Sequence, residues 1–379
     1  MKGYFRKRGD KWSFTIDLGR DANNKRKQKT QSGFKTKKEA QHACNKLINE
    51  LMKGEYVEPS QKTVEEILLE FMTTHGKHAF RQKTYETHMY IIQKHIIPSL
   101  GHVKVPKLTP AMVQGFYLQK LQDENYSAEY VRTMHAVLRK AFNKAVKWQY
   151  INKSIIELVD PPRLEAKEIR TWTLEDATTF LEYVKGKRFY IVFLLAIYTG
   201  MRQGEILGLR WKDCHLKDGN ISVTQTLSRT AKGLIFQEPK TRGSKRLISI
   251  PKHVTEELKQ HKKEQNEQKI LLGPAYEDYN LVACIETGKP IDARNLIRYY
   301  KRMIKESGVP DIRFHDLRHT HATIMLQLGE HPKVVSERLG HSKTNVTLDI
   351  YSHVVPDMQK SAADKFEQAM RSVNNNNIV

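Results

Sequence analysis

The 379-residue chain is poor in cysteine, with only Cys44, Cys214 and Cys284. These lie far apart, are odd in number and lack metal-ligand spacing. That argues against a disulfide framework or a zinc ribbon and makes a reducing cytoplasm the default compartment. Long apolar runs are missing too. The longest, Tyr190–Tyr198, falls far short of the ~20 residues that span a bilayer. No apolar run follows the basic start Met1-Lys-Gly-Tyr-Phe-Arg-Lys-Arg, so it does not read as a secretory signal. No internal repeat is visible. Acidic charge is the third shortfall, 42 Asp+Glu against 64 Lys+Arg, a net of +22. Such an excess repels itself without an anionic partner. Nucleic acid is the first candidate; an anionic membrane surface is second and is weakened by the missing apolar run. What is present is globular: 39% hydrophobic and 28% charged residues, in a length that fits two or three domains of roughly 100–200 residues each.

Residues 1–55 form a block of their own. Within 1–53 there are 15 Lys+Arg against 5 Asp+Glu. Tyr4, Trp12, Phe14, Ile16 and Leu18 occupy even positions, a period of two that predicts a strand hairpin turning at Gly9-Asp10. Gly19–Asn24 reads as a second turn, before a basic strand Lys25–Ser32. Thr36-Lys-Lys-Glu39 is a capping-box pattern and predicts a helix to about Lys53. A small three-stranded sheet backed by one helix follows. Lys25, Arg26, Lys27 and Lys29 are its candidate DNA contacts, because a two-stranded ribbon of this size enters a major groove. A solvated basic face is the alternative.

Glu58-Pro59-Ser60 reads as a linker, and residues 62–160 as an all-helical domain. Thr63-Val-Glu-Glu66 is a second capping box, followed by an apolar face at Ile67, Leu68 and Phe71. A helix is expected over Lys83–Ile97, another opening at Thr109-Pro110, and a fourth over Ser127–Trp148. The fourth carries Val131, Met134, Val137, Leu138, Phe142 and Ala145 on one side. On its other side are Arg132, Arg139, Lys140, Lys144 and Lys147, either a solvated stripe or phosphate contacts. Asp160-Pro161-Pro162-Arg163 and the charged run to Arg170 mark the next boundary. Residues 171–379 read as mostly helical, with a strand at Asn220–Thr226 and return strands at Leu234–Glu238 and Arg246–Ile250.

The chemistry-bearing residues fall in this last block. In Tyr198-Thr-Gly-Met-Arg202-Gln-Gly-Glu205 an apolar helix runs into Gly200, and Arg202 opens the next helix. Glu205, three residues on, lies on the same face and can orient the guanidinium; a plain surface ion pair is the alternative. In Phe314-His315-Asp-Leu-Arg318-His319-Thr-His321, His315, Arg318 and His319 share a helical face. A zinc site is the competing reading of those histidines, but the carboxylate base of the helical zinc-protease pattern is missing. Arg338-Leu-Gly-His341 comes next, and Tyr351 ten residues after His341. Arginine is the preferred clamp for phosphate oxygens, phosphoryl transfer depends chiefly on charge stabilisation, and tyrosine serves as a covalent nucleophile. The set suits a phosphodiester.

This order of motifs resembles the tyrosine recombinases, the phage integrase family: Arg in a T-G-x-R-x-x-E context, a hairpin lysine, H-x-x-R, L-G-H, and a tyrosine about ten residues later. Lys240, in Glu238-Pro-Lys-Thr-Arg-Gly-Ser-Lys-Arg246, fits the hairpin lysine, with Lys245 as the alternative. The layout resembles integrases of conjugative transposons and temperate phages. The resemblance implies a multi-domain, mainly α fold: an arm-type DNA-binding domain at 1–55, a helical core-binding (SAM-like) domain at 62–160, and a mixed, mostly helical catalytic domain at 171–379. It implies that Tyr351 is the nucleophile of a site-specific DNA recombinase that integrates and excises a mobile element or prophage without ATP, cofactor or metal. Arg202, Arg318 and His341 would stabilise the transferred phosphate and Lys240 would protonate the leaving oxygen. His315 would assist and Glu205 would support Arg202. Implied partners are double-stranded DNA at core and arm sites, three further copies of the chain, an excisionase and a host DNA-bending protein; no membrane is implied, and the location is cytoplasmic, on the nucleoid. A type IB topoisomerase and a non-catalytic DNA-binding regulator are the alternatives. Tyr300, outside every motif, is the rival nucleophile. Beyond Tyr351, Pro356-Asp357 starts a helix with Met358, Ala362, Phe366 and Ala369 on one face. That face packs on its own domain or, as the resemblance implies, on a neighbouring protomer.

Overall fold

A computed structural model describes residues 2–20, 24–53, 56, 60–165, 170–231, 233–239, 245–340, 363, 364, 366 and 367. The chain divides into two units, Met1–Glu165 and Ala166–Val379.

The first unit begins with an antiparallel sheet in the order β1-β2-β3, made of β1 (Gly3–Arg8), β2 (Lys11–Arg20) and β3 (Arg26–Phe34). The hairpin turns at Gly9, whose φ of +57° suits a residue without a Cβ. Phe5 pairs with Phe14 and Tyr4 with Thr15. Odd positions of β1 therefore share a face with even positions of β2. Phe5, not Tyr4, packs with Phe14, Ile16 and the helix α1 (Lys37–Met52), and Tyr4 is 71% exposed. The expected run of even-numbered aromatics fails at its first member because the turn reverses the parity. Thr36 caps α1 by accepting from the Glu39 N–H. The returning bond of the expected capping box goes instead from the Lys35 N–H to Glu39 (2.9 Å).

A second core in this unit is built on α2 (Val64–Glu70), α3 (Lys77–Ala79), α4 (Gln82–Ile91), α5 (Pro110–Gln122) and α6 (Ala128–Lys147). Both halves of the Thr63/Glu66 capping box are formed. The helix expected over Lys83–Ile97 runs on past that end and changes character, continuing as wide π turns over Ile92–Gly101 around Pro98. Proline has no N–H to donate four residues back, so the ladder widens there. On α6, Val131, Met134, Val137, Leu138, Phe142 and Ala145 are all fully buried.

In the second unit, α7 (Leu174–Val184), α8 (Tyr190–Thr199) and α9 (Gln203–Leu207) precede the strands. Helix α8 is apolar on all sides, and a helix of that kind belongs in a core; Ile191 through Ile197 are buried. Strands β4 (Cys214–His215), β5 (Asn220–Val223) and β8 (Arg246–Ser249) form one sheet, and β6 (Thr226–Thr230) and β7 (Gly233–Gln237) another. The single strand expected over Asn220–Thr226 is thus divided. Side chains hold the break: Thr224 accepts from Arg210 (3.0 Å) and Gln225 donates to the Gly208 carbonyl (2.7 Å). Helices α10 (Lys252–Leu272), α11 (Ala293–Ser307), α12 (Asp316–Gln327) and α13 (Pro332–Leu339) complete this unit as described; α7, α9, α10 and α12 pack on α8. Among the described residues, no helix is long and apolar enough to cross a membrane.

Candidate active site

The site is assembled around the end of α8. The helix stops at Gly200 with φ +61°, and a Cβ there would lie 2.6 Å from Leu339 Cδ2 and 2.8 Å from His321 Cδ2. Only glycine permits both that backbone and that approach. Two residues later Arg202 caps α9. Its Nη1 donates to Glu205 Oε1 (2.9 Å) and its backbone N–H to Glu205 Oε2 (3.0 Å). The Glu205 side chain is 4% exposed, whereas that of Arg202 is 38% exposed. Burial pushes the Glu205 carboxyl up, but bonds to Arg246 and then Arg202 outweigh it, and the net pKa lies below the ordinary value.

Helix α12 supplies the second arginine. Arg313 forks onto Asp316 at the start of α12 (2.9 and 2.8 Å). Arg318, 3% exposed, donates from Nη1 to the Gly200 carbonyl (2.8 Å) and from Nη2 to the Leu339 carbonyl (2.7 Å). His315 is exposed, and its ring meets that of His319 edge-on at 5.3 Å. Desolvation and then the Arg318 charge hold the His315 pKa below the ordinary value. The neutral imidazole is therefore the form that waits near neutral pH, able to take up or relay a proton. Desolvation first, and then the neighbouring His315, push the His319 pKa down to about 4.

His321 has a different task. Its Nδ1–H donates to the Ile197 carbonyl (2.9 Å), which fixes the tautomer, and its Nε2 accepts from Arg338 Nε (3.1 Å). Both nitrogens are engaged within the protein, so the reading of His315, His319 and His321 as one ligand set fails at His321. Burial and the Arg338 charge push its pKa down to about 3. Arg338 also donates to the Ser249 (2.8 Å) and Tyr198 (2.9 Å) carbonyls. The Leu339-Gly340 turn is held from both sides, since Arg202 Nη2 also reaches the Gly340 carbonyl (3.4 Å). The T-G-x-R, H-x-x-R and L-G segments, distant in sequence, meet here.

Sequence reasoning missed Arg246. Its guanidinium forks onto Glu205 (2.9 and 3.3 Å), and its Nε donates to the Arg338 carbonyl (2.7 Å). The signal was available: Arg246 is in phase with the buried Ile248 and Ile250, while Leu247 is 59% exposed. A charged residue on the inward phase of a strand needs a partner.

Three family models match the chain: the phage integrase family over residues 167–358, an arm DNA-binding domain over 4–51, and the phage integrase N-terminal SAM-like domain over 63–122. A tyrosine recombinase XerC-like protein of Caldanaerobacter subterraneus is 32% identical over 369 residues, covering 92% of this chain and 94% of the relative. The chain belongs to the phage integrase family. Among solved structures, the Tn1549 transposon integrase in complex with transposon right-end DNA has a TM-score of 0.67 at 21% identity, over 80% of this chain and 99% of that one. A lambda integrase tetramer bound to a Holliday junction has a TM-score of 0.55 at 18% identity, over 92% and 94%. Both share the fold.

Lys240, His341 and Tyr351 of this integrase-family chain lie outside the described residues, as does most of the segment expected to form the tail helix. Lys245, the other candidate lysine, pairs with Glu238 at the surface (3.0 Å). Tyr300 is no rival nucleophile: it is fully buried among Trp172, Phe180 and Phe314. Lys25, Arg26 and Lys27 are exposed, with Arg26 bound to Asp17 (2.7 Å). Lys29 turns the other way. It sits opposite Ile16 on the helix-facing side of the sheet and hydrogen-bonds Tyr56. Arg132, Arg139 and Lys140 line the exposed side of α6. There Arg132 donates to the Pro162 carbonyl (3.0 Å) and Lys140 lies over the Phe80 ring.

Proposed function

We propose that this chain is a site-specific DNA recombinase that integrates and excises a mobile element, with 1–55 binding arm sites, 62–160 binding the core site and 171–379 carrying the chemistry. The observation that carries the reading is the convergence of Arg202 and Arg318 on one turn, each bonded to carbonyls of the Gly200 or Leu339-Gly340 backbone. Two fixed guanidiniums in one place form a clamp for phosphate oxygens.

The Tyr351 hydroxyl gives up its proton to neutral His315 as its oxygen attacks phosphorus, the tyrosine–phosphate bond forms, and the bond to the 5′-oxygen breaks. Lys240 gives that oxygen its proton. Arg202, Arg318 and His341 stabilise the charge on the remaining oxygens, and His315, held neutral, assists proton movement. The 3′-phosphotyrosine keeps the bond energy, so a 5′-hydroxyl from the partner duplex reverses the step without ATP. Two exchanges of this kind, separated by a Holliday junction, recombine two sites within a tetramer. The lambda integrase tetramer on a Holliday junction shares the fold and supports that assembly, and the fold shared with the Tn1549 transposon integrase supports a mobile element. An excisionase and a host DNA-bending protein complete the reading, which carries a cytoplasmic, nucleoid-associated location with it.

The test is recombination in EDTA between two copies of the DNA flanking the gene. Recombinant joints that need both sites support the reading. Relaxation of supercoiled plasmid at a single site, with no joints, supports a topoisomerase instead, and binding without strand breakage a regulator.

A further inference from the structure

The Arg202–Glu205 pair poses an electrostatic problem. A carboxylate beside an arginine would normally cancel the charge that a phosphate needs. Glu205 is 4% exposed, and its Oε1 takes a bond from Arg202 Nη1 (2.9 Å). Left alone, the two would form a neutral pair.

We propose that Arg246 is a positioning residue of this centre, taking up the Glu205 charge so that Arg202 keeps its own for the phosphate. The inference rests on the phosphoryl-transfer reading above. Arg246 opens β8, at the far end of the 238–246 segment that contains Lys240, and its side chain is only 6% exposed. A guanidinium buried to that degree persists only with its donors satisfied. Nη2 and Nη1 meet the two Glu205 oxygens at 2.9 and 3.3 Å, and Nε meets the Arg338 carbonyl at 2.7 Å. One carboxylate thus lies between two guanidiniums, leaving a net charge of one cation. Of the two arginines, Arg246 is buried with Glu205, and the one that reaches solvent is Arg202, 38% exposed. The surplus charge is presented where a phosphate can approach.

Arg246 also backs the turn that leads to position 341. A Cβ on Gly340 would lie 3.0 Å from Arg246 Cδ and 3.1 Å from its Nη1. The same side chain therefore touches the Glu205 carboxylate, the Arg338 carbonyl and the Gly340 backbone. Arg246 does not itself meet the phosphate in this account; it acts through Arg202.

The experiment measures single-turnover formation of the covalent adduct on a nicked suicide duplex carrying the core site, at saturating DNA. It compares wild type, Arg246→Met, Arg246→Met with Glu205→Gln, and Arg246→Lys. Displacing a catalytic group by about 1 Å costs roughly 100-fold in rate, and that is the loss expected for Arg246→Met, with DNA affinity nearly unchanged. In the double variant, removing the carboxylate charge restores a free cation at Arg202, so the rate should recover at least about tenfold, the size of a modest electrostatic contribution. A purely structural role gives the opposite order, because the double variant loses more contacts. A double variant no faster than Arg246→Met overturns the proposal, as does an Arg246→Met chain that cleaves like wild type. Should Arg246→Met fail to fold, Arg246→Lys replaces it. That variant keeps the charge though not the fork onto Glu205; with the charge retained it should stay within about tenfold of wild type, whereas a loss of roughly 100-fold overturns the charge argument. A wild-type chain that forms no adduct brings down the phosphoryl-transfer reading itself; wild-type cleavage with these variants misbehaving brings down only the role of Arg246.

Discussion

Gly200→Ala is a sharp perturbation of the site because two separate costs can be read from the structure. The backbone at Gly200 has φ +61°, and a left-handed conformation costs a residue with a Cβ about 1–2 kcal/mol. The added methyl would also lie 2.6 Å from Leu339 Cδ2 and 2.8 Å from His321 Cδ2, and forcing an extra methyl into a filled core costs about 1–3 kcal/mol. The sum is about 2–5 kcal/mol. Gly186→Ala is the control, with φ +71° and nothing within 4 Å of its Cβ, so it should cost only the backbone share of about 1–2 kcal/mol. The assay is urea unfolding of the full chain, with adduct formation on core DNA measured in parallel. Gly200→Ala should also slow cleavage, since the Gly200 carbonyl holds Arg318 at 2.8 Å, whereas Gly186→Ala should cleave normally. Equal destabilisation by the two substitutions, or unchanged cleavage in Gly200→Ala, would refute the close approach of the three motifs.

His321 should make the fold acid-sensitive. Its pKa is about 3 in the folded chain against an ordinary 6.5, so the unfolded chain takes up the proton first. Stability from this group is complete above pH ~6.5 and falls as the pH drops toward 3, by up to ~1.4 kcal/mol per pH unit. His319, at about 4, adds to the same trend, so urea unfolding between pH 7 and 4 should show at least that slope and His321→Gln should make it shallower; identical slopes contradict the assignment. Deleting residues 1–55 should spare cleavage of a core site and remove one separate DNase-protected region; an unchanged footprint contradicts an arm-binding role. Phe366 is 70% exposed, so Phe366→Ala should leave the melting temperature unchanged. By removing about 1.5–3 kcal/mol of burial across a protomer contact, it should weaken assembly on DNA in sedimentation. A large fall in melting temperature instead places the tail on its own domain.

Much of the fold is written locally. The Thr63/Glu66 capping box, the buried stripe of α6 and the Arg202–Glu205 bond are all short-range patterns, and each forms as its spacing requires. The errors arise where a distant partner decides. Tyr4 faces out because pairing parity across the Gly9 turn, not position number, selects the face. The break at Thr224 and Gln225 is fixed by Arg210 and Gly208. The site divides in the same way. The motifs name Arg202, His315 and Arg318, but their meeting through the Gly200 and Leu339 carbonyls spans more than 100 residues of sequence in one case. The phase of β8 marks Arg246 as inward-facing, but its partner Glu205 lies 41 residues away, and no local spacing points to that pairing or to the His321–Arg338 bond.

The most direct test of the account is the identity of the covalent adduct. Wild-type chain is incubated with a nicked suicide duplex containing the core site in EDTA, the adduct is digested, and the nucleotide-bearing peptide is sequenced by mass spectrometry. The account predicts one modified residue, Tyr351, joined to a 3′-phosphate with a free 5′-hydroxyl on the departing strand, and no adduct from Tyr351→Phe although that variant still binds the DNA. An adduct on another residue, one that persists in Tyr351→Phe, or a 5′-phosphate linkage would contradict it.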